Sequence, residues 1–193
     1  KTESGAFGVP VAVENDANCM AIAESNALSA DVTADVLCLT YGTCVGGAIV
    51  RGGAVYHGVN WSAGEFGMMY MGGEYYENIA SVTHLVEQAK AMDASLCDGR
   101  AITAQLNRSD VYALVDGWAK HVAEGLASLM HIFNPTCIII GGGIMEDENV
   151  FNMVTSKVSE LTAPGFDVNI RSARFGNSAG LIGAGILAQK LMK

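Results

Sequence analysis

The chain has few basic residues and very little proline. Only 11 of its 193 residues are Lys or Arg, against 20 Asp and Glu, and the formal net charge is -9. The basic residues are scattered and form no run, which argues against a surface that binds a nucleic-acid backbone. Because 3 Pro accompany 23 Gly, the excess glycine is expected in turns and close backbone approaches, not in a low-complexity linker.

No uninterrupted apolar run is long enough to cross a membrane. The stretch 125–145 lacks Asp, Glu, Lys and Arg, but Asn134-Pro135 interrupts it and three glycines follow. This pattern predicts a helix end, a turn and a short strand. We therefore expect neither a membrane span nor a signal peptide. Five widely spaced cysteines in apolar stretches indicate reduced thiols that act as small hydrophobes, which favours a cytoplasmic location.

The order of apolar patterns predicts a mixed α/β fold with one sheet and helices on its faces. Half of the residues are hydrophobic, which is ample for a packed core. The pattern predicts strands at 9–13, 36–40, 45–51, 54–56, 137–140 and 168–172, and helices at 17–28, 110–133, 148–162 and 179–192. Gly52-Gly53 predicts a hairpin turn, and Ser109 or Asp110 is expected to cap the second helix.

An acidic string follows the first predicted strand and contains Asn15 and Asp16. One interpretation makes Asp16 an N-cap, where Asp is worth about 1 kcal/mol. The other makes it a general base that accepts the proton of a sugar hydroxyl as that hydroxyl attacks the terminal phosphate of ATP. Asn15 would then hold the same hydroxyl region through its amide. Both interpretations stay open at this level.

Two glycine-rich turns could either serve only to reverse or end a strand, or bind phosphate. In Gly42-Thr43, the missing side chain would let backbone N–H groups approach phosphate oxygens, with the Thr43 hydroxyl as a further donor. The turn Gly141-Gly142-Gly143 either ends a strand or lets adenosine and its phosphates lie against the backbone. The second turn does not match the spacing of a dinucleotide fingerprint or a Walker loop.

Glu65 and Glu77 have two possible interpretations. They are either surface carboxylates without a binding role or ligands of a sugar. A carboxylate suits a sugar because each oxygen can accept hydrogen bonds from hydroxyls, at about 1.5 to 3 kcal/mol each. The four histidines show no metal-like pairing, and we interpret all of them as structural. The run 68–71, rich in Met, is interpreted as packing, with the lining of an adaptable pocket as the alternative.

Taken in order, these strings resemble the signature of the ROK family of bacterial sugar kinases and sugar-responsive repressors. The resemblance rests on Glu14-Asn15-Asp16-Ala17-Asn18, on Gly42-Thr43 with Gly46-Gly47, and on Gly58 with Ala63-Gly64-Glu65-Phe66-Gly67. It runs from about residue 9 to 81 and resumes at 134–143 and 179–185.

The resemblance implies an actin-like (ribonuclease H-like) ATPase fold with sugar and ATP between two lobes. It makes Asp16 the catalytic base, Asn15, Glu65 and Glu77 the sugar contacts, and Gly42, Thr43 and Gly141 to Gly143 the nucleotide contacts. It also implies a homodimer, and an acidic protein that handles ATP needs a divalent cation to bridge the charges, which we expect to be Mg²⁺. Many members carry a zinc-binding His where this chain has Met68, and a Cys-rich knuckle where 69–77 has no Cys. We therefore expect no zinc.

The family's N-terminal Asp-x-Gly-Gly-Thr phosphate loop is absent from the 193 residues. We expect residues 1–30 to be a remnant of the first lobe, 31–178 to be the second lobe, and 179–193 to be a closing helix that packs back toward the first lobe. The leading hypothesis is ATP-dependent phosphorylation of a hexose or related glycoside, with the chain inactive alone. Alternatives are the sugar-sensing part of a repressor and an interaction domain with a dead site.

Overall fold

A computed structural model describes residues 8–28 and 35–192 of the chain, and a five-stranded sheet lies at the centre of this part. The sheet strands are β1 (Asp35–Tyr41), β2 (Val45–Arg51), β3 (Ala54–Val55), β6 (Cys137–Gly141) and β7 (Ile170–Ser172). A separate hairpin contains β4 (Tyr70–Met71) and β5 (Glu74–Tyr75). The helices are α1 (Asp16–Asn26), α2 (Tyr76–Ala80), α3 (Val82–Met92), α4 (Gly99–Thr103), α5 (Ser109–Phe133), α6 (Glu148–Leu161) and α7 (Ala179–Leu191).

The sheet order is β3-β2-β1-β6-β7, with antiparallel pairs up to β1 and parallel pairs beyond it. In the parallel pair of β1 and β6, Thr40 lies opposite Gly141. The carboxyl ends of both strands therefore reach the same edge of the sheet. In open α/β sheets, this edge is where ligands usually bind.

Alternating side chains of the central strands enter two different cores, as the pleat of a strand requires. On β1, Leu37 and Leu39 face a large core shared with α5 and α6, while Val36 and Cys38 face a smaller core shared with α1 and α7. The predicted arrangement of one main sheet with helices on both faces is thus confirmed.

Helices α1 and α7 pack closely on each other over the smaller core. At Gly183 in α7, an added Cβ would collide with the backbone carbonyl of Cys19 in α1. The described part of 1–30 and the closing helix thus share a core with the sheet. Their assignment to a first lobe stays a prediction, and residues 1–7, 29–34 and 193 within the predicted boundaries lie outside the described residues.

Several local predictions are confirmed. Gly52 and Gly53, with φ of 57° and 77°, form the turn between β2 and β3. The long helix α5 is capped at its C-terminus by Asn134, which adopts the left-handed conformation with a φ of 43° before Pro135.

Other local predictions were wrong. Residues 9–13 form no strand, since no described strand pairs with them and the side chains of Val9 and Val13 are exposed. The N-cap of α5 is Arg108, and not Ser109 or Asp110 as predicted. The side chain of Arg108 makes no capping hydrogen bond. The cysteines are all free thiols, but two of them, Cys44 and Cys97, are exposed and do not act as core hydrophobes. Helices α2, α3 and α4 and the hairpin β4–β5 were not foreseen.

Candidate functional site

One cavity of about 730 Å³ opens at the edge of the sheet where β1 ends. Its wall includes the first residues of α1 and α7, the turn after β1, and the segments before and after the hairpin β4–β5. Six of the predicted site residues line it, namely Asn15, Asp16, Gly42, Thr43, Glu65 and Glu77. The three acids and the first glycine turn, which are far apart in the sequence, are thus brought together.

Asn15, and not Asp16, is the N-cap of α1. Its Oδ1 accepts hydrogen bonds from the backbone N–H of Ala17 at 2.8 Å and of Asn18 at 3.3 Å. The plain interpretation of Asp16 as the cap was therefore wrong. Because the amide oxygen of Asn15 is engaged, its NH₂ group is the part of the side chain that remains to donate a hydrogen bond to a ligand.

Asp16 occupies the first helical position and is exposed to the cavity. One of its carboxylate oxygens accepts a bond from Ala17 N at 2.8 Å. The carboxylate of Asp16 therefore lies at the wall of the cavity, at the start of a helix. A carboxylate in such a place can accept a proton from a bound ligand.

Close backbone packing orients Glu65. The preceding Gly64 has a φ of 93°, and a Cβ there would lie 3.0 Å from the carbonyl oxygen of Gly47 in β2. The following Phe66 is buried, and an added Cβ at Gly47 would collide with its ring. Gly47 of β2 therefore lets the segment that carries Glu65 pack directly against the strand.

Glu77 is held through its buried neighbour Tyr76. The Tyr76 hydroxyl donates to the carbonyl oxygen of Val122 in α5 at 2.8 Å and lies 2.8 Å from the hydroxyl of Tyr41. Gly125 in α5 leaves room for the Tyr76 ring, since a Cβ there would collide with it. Burial raises the pKa of Tyr76 well above its usual value and raises that of Tyr41 as well. Both phenols therefore stay neutral and fix α2, which carries Glu77.

The turn after β1 differs in detail from the expected phosphate contact. The N–H of Gly42 donates to the carbonyl of Cys44 at 3.0 Å, and its own carbonyl accepts from Val82 N at 2.9 Å. The Gly42 N–H is thus engaged within the turn. No atom lies within 4 Å of a Cβ added at Gly42, so the residue leaves open space. The exposed Thr43 hydroxyl is the donor that the turn offers to the cavity.

The second glycine turn lies beside the cavity and does not line it. Gly141 and Gly142 border a small adjoining cleft with Glu146 and Gly176, and Gly176 also lines the main cavity. Gly142 has a φ of 111° and packs against the carbonyl of Tyr41, so a side chain there would collide with β1. Gly143 is exposed and borders neither space.

The Met-rich run both packs against the core and lines the cavity, and two further lining residues were missed. Met69 and Met71 pack against the core as predicted, but Met68 is 48% exposed and lines the cavity. Gly176 and Asn177 also line it, just before α7. The only signal for them in the sequence is a Gly-Asn-Ser string ahead of the closing helix, which is typical of any helix start.

Within residues 8–28 and 35–192, no group of three or more His, Cys, Asp or Glu could hold a metal ion. Over the same residues, no helix has both the length and the apolar character needed to cross a membrane.

Comparison with known proteins gives consistent matches. Residues 2–191 match the ROK family. A β-glucoside kinase from Listeria innocua is 34% identical over 192 residues, which cover 92% of this chain and 64% of that protein. This chain thus spans about 64% of the length of such curated relatives.

Solved structures agree with this match. A ROK hexokinase from Thermus thermophilus has a TM-score of 0.85 at 30% identity, over 98% of this chain and 71% of that one. A ROK glucokinase from Streptomyces griseus, in complex with glucose and AMPPNP, has a TM-score of 0.80 at 26% identity, over 97% and 70%. The predicted actin-like ATPase fold is confirmed.

Proposed function

The chain belongs to the ROK family, and on this premise we propose that it forms the larger lobe of an ATP-dependent kinase for a hydroxyl of a hexose or related glycoside. The observation that carries the proposal is the single cavity in which Asp16, Glu65 and Glu77 meet the turn of Gly42-Thr43. A cavity lined by several carboxylates suits a polyhydroxylated ligand, since each carboxylate oxygen accepts hydrogen bonds from hydroxyls.

In this proposal, Glu65, Glu77 and the NH₂ group of Asn15 bind hydroxyls and orient the sugar. Asp16 accepts the proton of the attacking hydroxyl while that oxygen forms its bond to the γ-phosphorus and the bond to the ADP oxygen breaks. Orientation supplies much of the rate, because a bound pair of reactants avoids the entropy loss of a bimolecular encounter.

ATP would lie on the side of Thr43 and the turn Gly141 to Gly143, with the Thr43 hydroxyl as a donor to phosphate. Mg²⁺ would enter as the MgATP complex, and it would neutralise charge that develops on the phosphates. The hydroxyl oxygen of Thr43 is a ligand of the kind that this ion prefers. The S. griseus glucokinase in complex with AMPPNP supports an adenine nucleotide as the second substrate.

We also propose that the 193-residue chain does not turn over ATP alone. It spans about 64% of the length of its curated relatives and lacks an Asp-x-Gly-Gly-Thr loop. Two phosphate-binding halves must close around one nucleotide to exclude water and align the reactants. Sugar-dependent ATP hydrolysis by the isolated chain would contradict this part of the proposal. A cytoplasmic location is proposed from the free cysteines and a homodimer from the family resemblance, and sedimentation would test the dimer.

The alternative of a sugar-sensing repressor domain uses the same cavity but no phosphoryl transfer. Asp16 favours the kinase, since a sensor has no need of a base at the cavity wall. A coupled-enzyme screen of free hexoses, amino sugars and β-glucosides with ATP, on the enzyme that contains this chain, separates the two. We expect ADP formation with at least one sugar. Sugar binding without any ADP formation would favour the sensor.

A further inference from the structure

His57 and Glu14 join two segments that carry different parts of the cavity wall. The Nε2 atom of His57 lies 2.7 Å from Glu14 Oε2, and the two residues are 43 positions apart. Glu14 precedes Asn15 and Asp16, whereas His57 lies eight positions before Glu65. Neither His57 nor Glu14 lines the cavity itself.

Glu14 is bonded on both of its carboxylate oxygens. While Oε2 binds His57, Oε1 accepts from the backbone N–H of Asn15 at 3.0 Å and from the Nδ2 of Asn18 at 2.8 Å. Its side chain is only 10% exposed. The carboxylate thus connects His57 to both sides of Asp16 in the chain, and a buried charge in such a position depends on all of its partners.

On its other side, His57 contacts Trp61. The two rings lie 4.2 Å apart between centroids, and Trp61 has a φ of 66°. A left-handed conformation is costly for a bulky residue and persists only where neighbouring groups hold it, often beside functional sites. The segment from His57 to Glu65 is therefore held in one particular conformation.

From these contacts we infer that His57 is a positioning residue, which acts through Glu14 to hold Asp16 at the correct distance from Glu65. The inference rests on the function proposed above. A sugar bound by Glu65 presents its hydroxyl to Asp16 only if the two segments keep their separation, and a shift of about 1 Å in such a geometry can cost about a hundredfold in rate. The nucleotide contacts lie on other segments and do not depend on this bond.

Two substitutions that differ in reach test the inference. In His57→Gln, the amide nitrogen takes the place of Nε2 and can still donate to Glu14. In His57→Asn, the nitrogen takes the place of Nδ1 and is too short to reach Glu14. His84→Asn is the matched control, since His84 lies on α3 outside the cavity wall. Steady-state kinetics of the enzyme that contains this chain would be measured for sugar and ATP separately, with urea unfolding of each variant.

We expect His57→Asn to lower kcat up to about a hundredfold and to raise the KM for sugar about tenfold, with the KM for ATP unchanged, and His57→Gln to stay within about twofold of the wild type in all three values. A merely structural role would lower the active fraction, and hence kcat, without this selective change of KM. Provided that the wild type phosphorylates a sugar, equal behaviour of the Asn and Gln variants would overturn the inference. An equal rise of the KM values for sugar and ATP would overturn it as well. A wild type that phosphorylates no sugar would instead overturn the proposed function, and the inference with it.

Discussion

Gly183 in α7 lies directly against the backbone carbonyl of Cys19 in α1, with no room for a side chain between the two helices. Helix α1 begins with the residues that form one wall of the cavity, so this contact also positions the site. Helix–helix contact through a glycine lets two backbones approach more closely than any other residue permits.

We expect Gly183→Ala to lower the free energy of unfolding by about 1 to 3 kcal/mol, since the added methyl must push the helices apart. Gly185→Ala is the control on the same helix, because nothing lies within 4 Å of its added Cβ. That variant should keep or gain stability, by up to about 1 kcal/mol from helix propensity. Urea denaturation measures both, and equal stability of the two variants would contradict the close contact.

The buried pair of Tyr41 and Tyr76 leads to a second prediction. Tyr76→Phe removes the hydroxyl that donates to Val122 O and leaves the Tyr41 hydroxyl without this partner. We expect a loss of about 1 to 3 kcal/mol in unfolding free energy, the usual cost of an unsatisfied buried polar group. Tyr112→Phe, at an exposed tyrosine on α5, should change stability little. If both variants unfold at the same urea concentration, the hydroxyl pair does not stabilise α2.

Gly42 distinguishes a plain turn from a phosphate contact. The space beside Gly42 is open, so Gly42→Ala should leave the unfolding free energy nearly unchanged. If ATP phosphates occupy that space, the methyl group should raise the KM for ATP about tenfold, with the KM for sugar unchanged. Steady-state kinetics and urea unfolding measure the two effects. An unchanged KM for ATP would show that the turn only connects β1 and β2 and does not contact phosphate.

Glu14 should make stability depend on pH in one direction. Burial opposes its ionisation, but the hydrogen bonds from His57, Asn18 and Asn15 outweigh burial and hold the pKa of Glu14 below the usual 4.5. The folded state therefore gains stability from this group above pH 4.5, and the gain is lost as the pH falls through the lowered pKa.

The variant Glu14→Gln isolates this contribution. We expect it to be less stable than the wild type at pH 7 by an amount on the order of 1 kcal/mol, and the difference to shrink at about pH 3. Urea unfolding at both pH values measures the difference. A constant difference between wild type and variant at the two pH values would show that Glu14 has no lowered pKa.

Local chemistry explains what the sequence could predict about the fold. Gly52-Gly53 predicts its hairpin because two positive φ angles in succession cost glycine little. Asn134-Pro135 predicts the end of α5 because proline cannot continue a helix. The run 9–13 misled because β-branched residues indicate a strand only when a neighbouring strand is there to pair with them. The caps of α1 and α5 were misplaced by one or two residues, the usual uncertainty at helix ends.

The sequence predicts which residues form the site, but it does not predict the contacts that hold those residues in place. Asp16, Glu65 and Glu77 stand out in the sequence because each is an acid beside glycine, amide or aromatic residues in strings that resemble a family signature. The contact of His57 with Glu14, and that of Tyr76 with Val122, join residues 43 and 46 positions apart. No local sequence pattern predicts such contacts, since they form only when the sheet and its helices pack together.

The central claim is that Asp16 accepts the proton of the sugar hydroxyl in a cavity that it shares with Glu65 and Glu77. The most direct test is Asp16→Asn in the enzyme that contains this chain, with kcat from a coupled ADP assay and sugar affinity from calorimetry. We expect kcat to fall by about 10² to 10⁴ while the Kd for sugar changes less than about threefold, because the amide keeps the shape but cannot accept the proton. An unchanged kcat would contradict the claim.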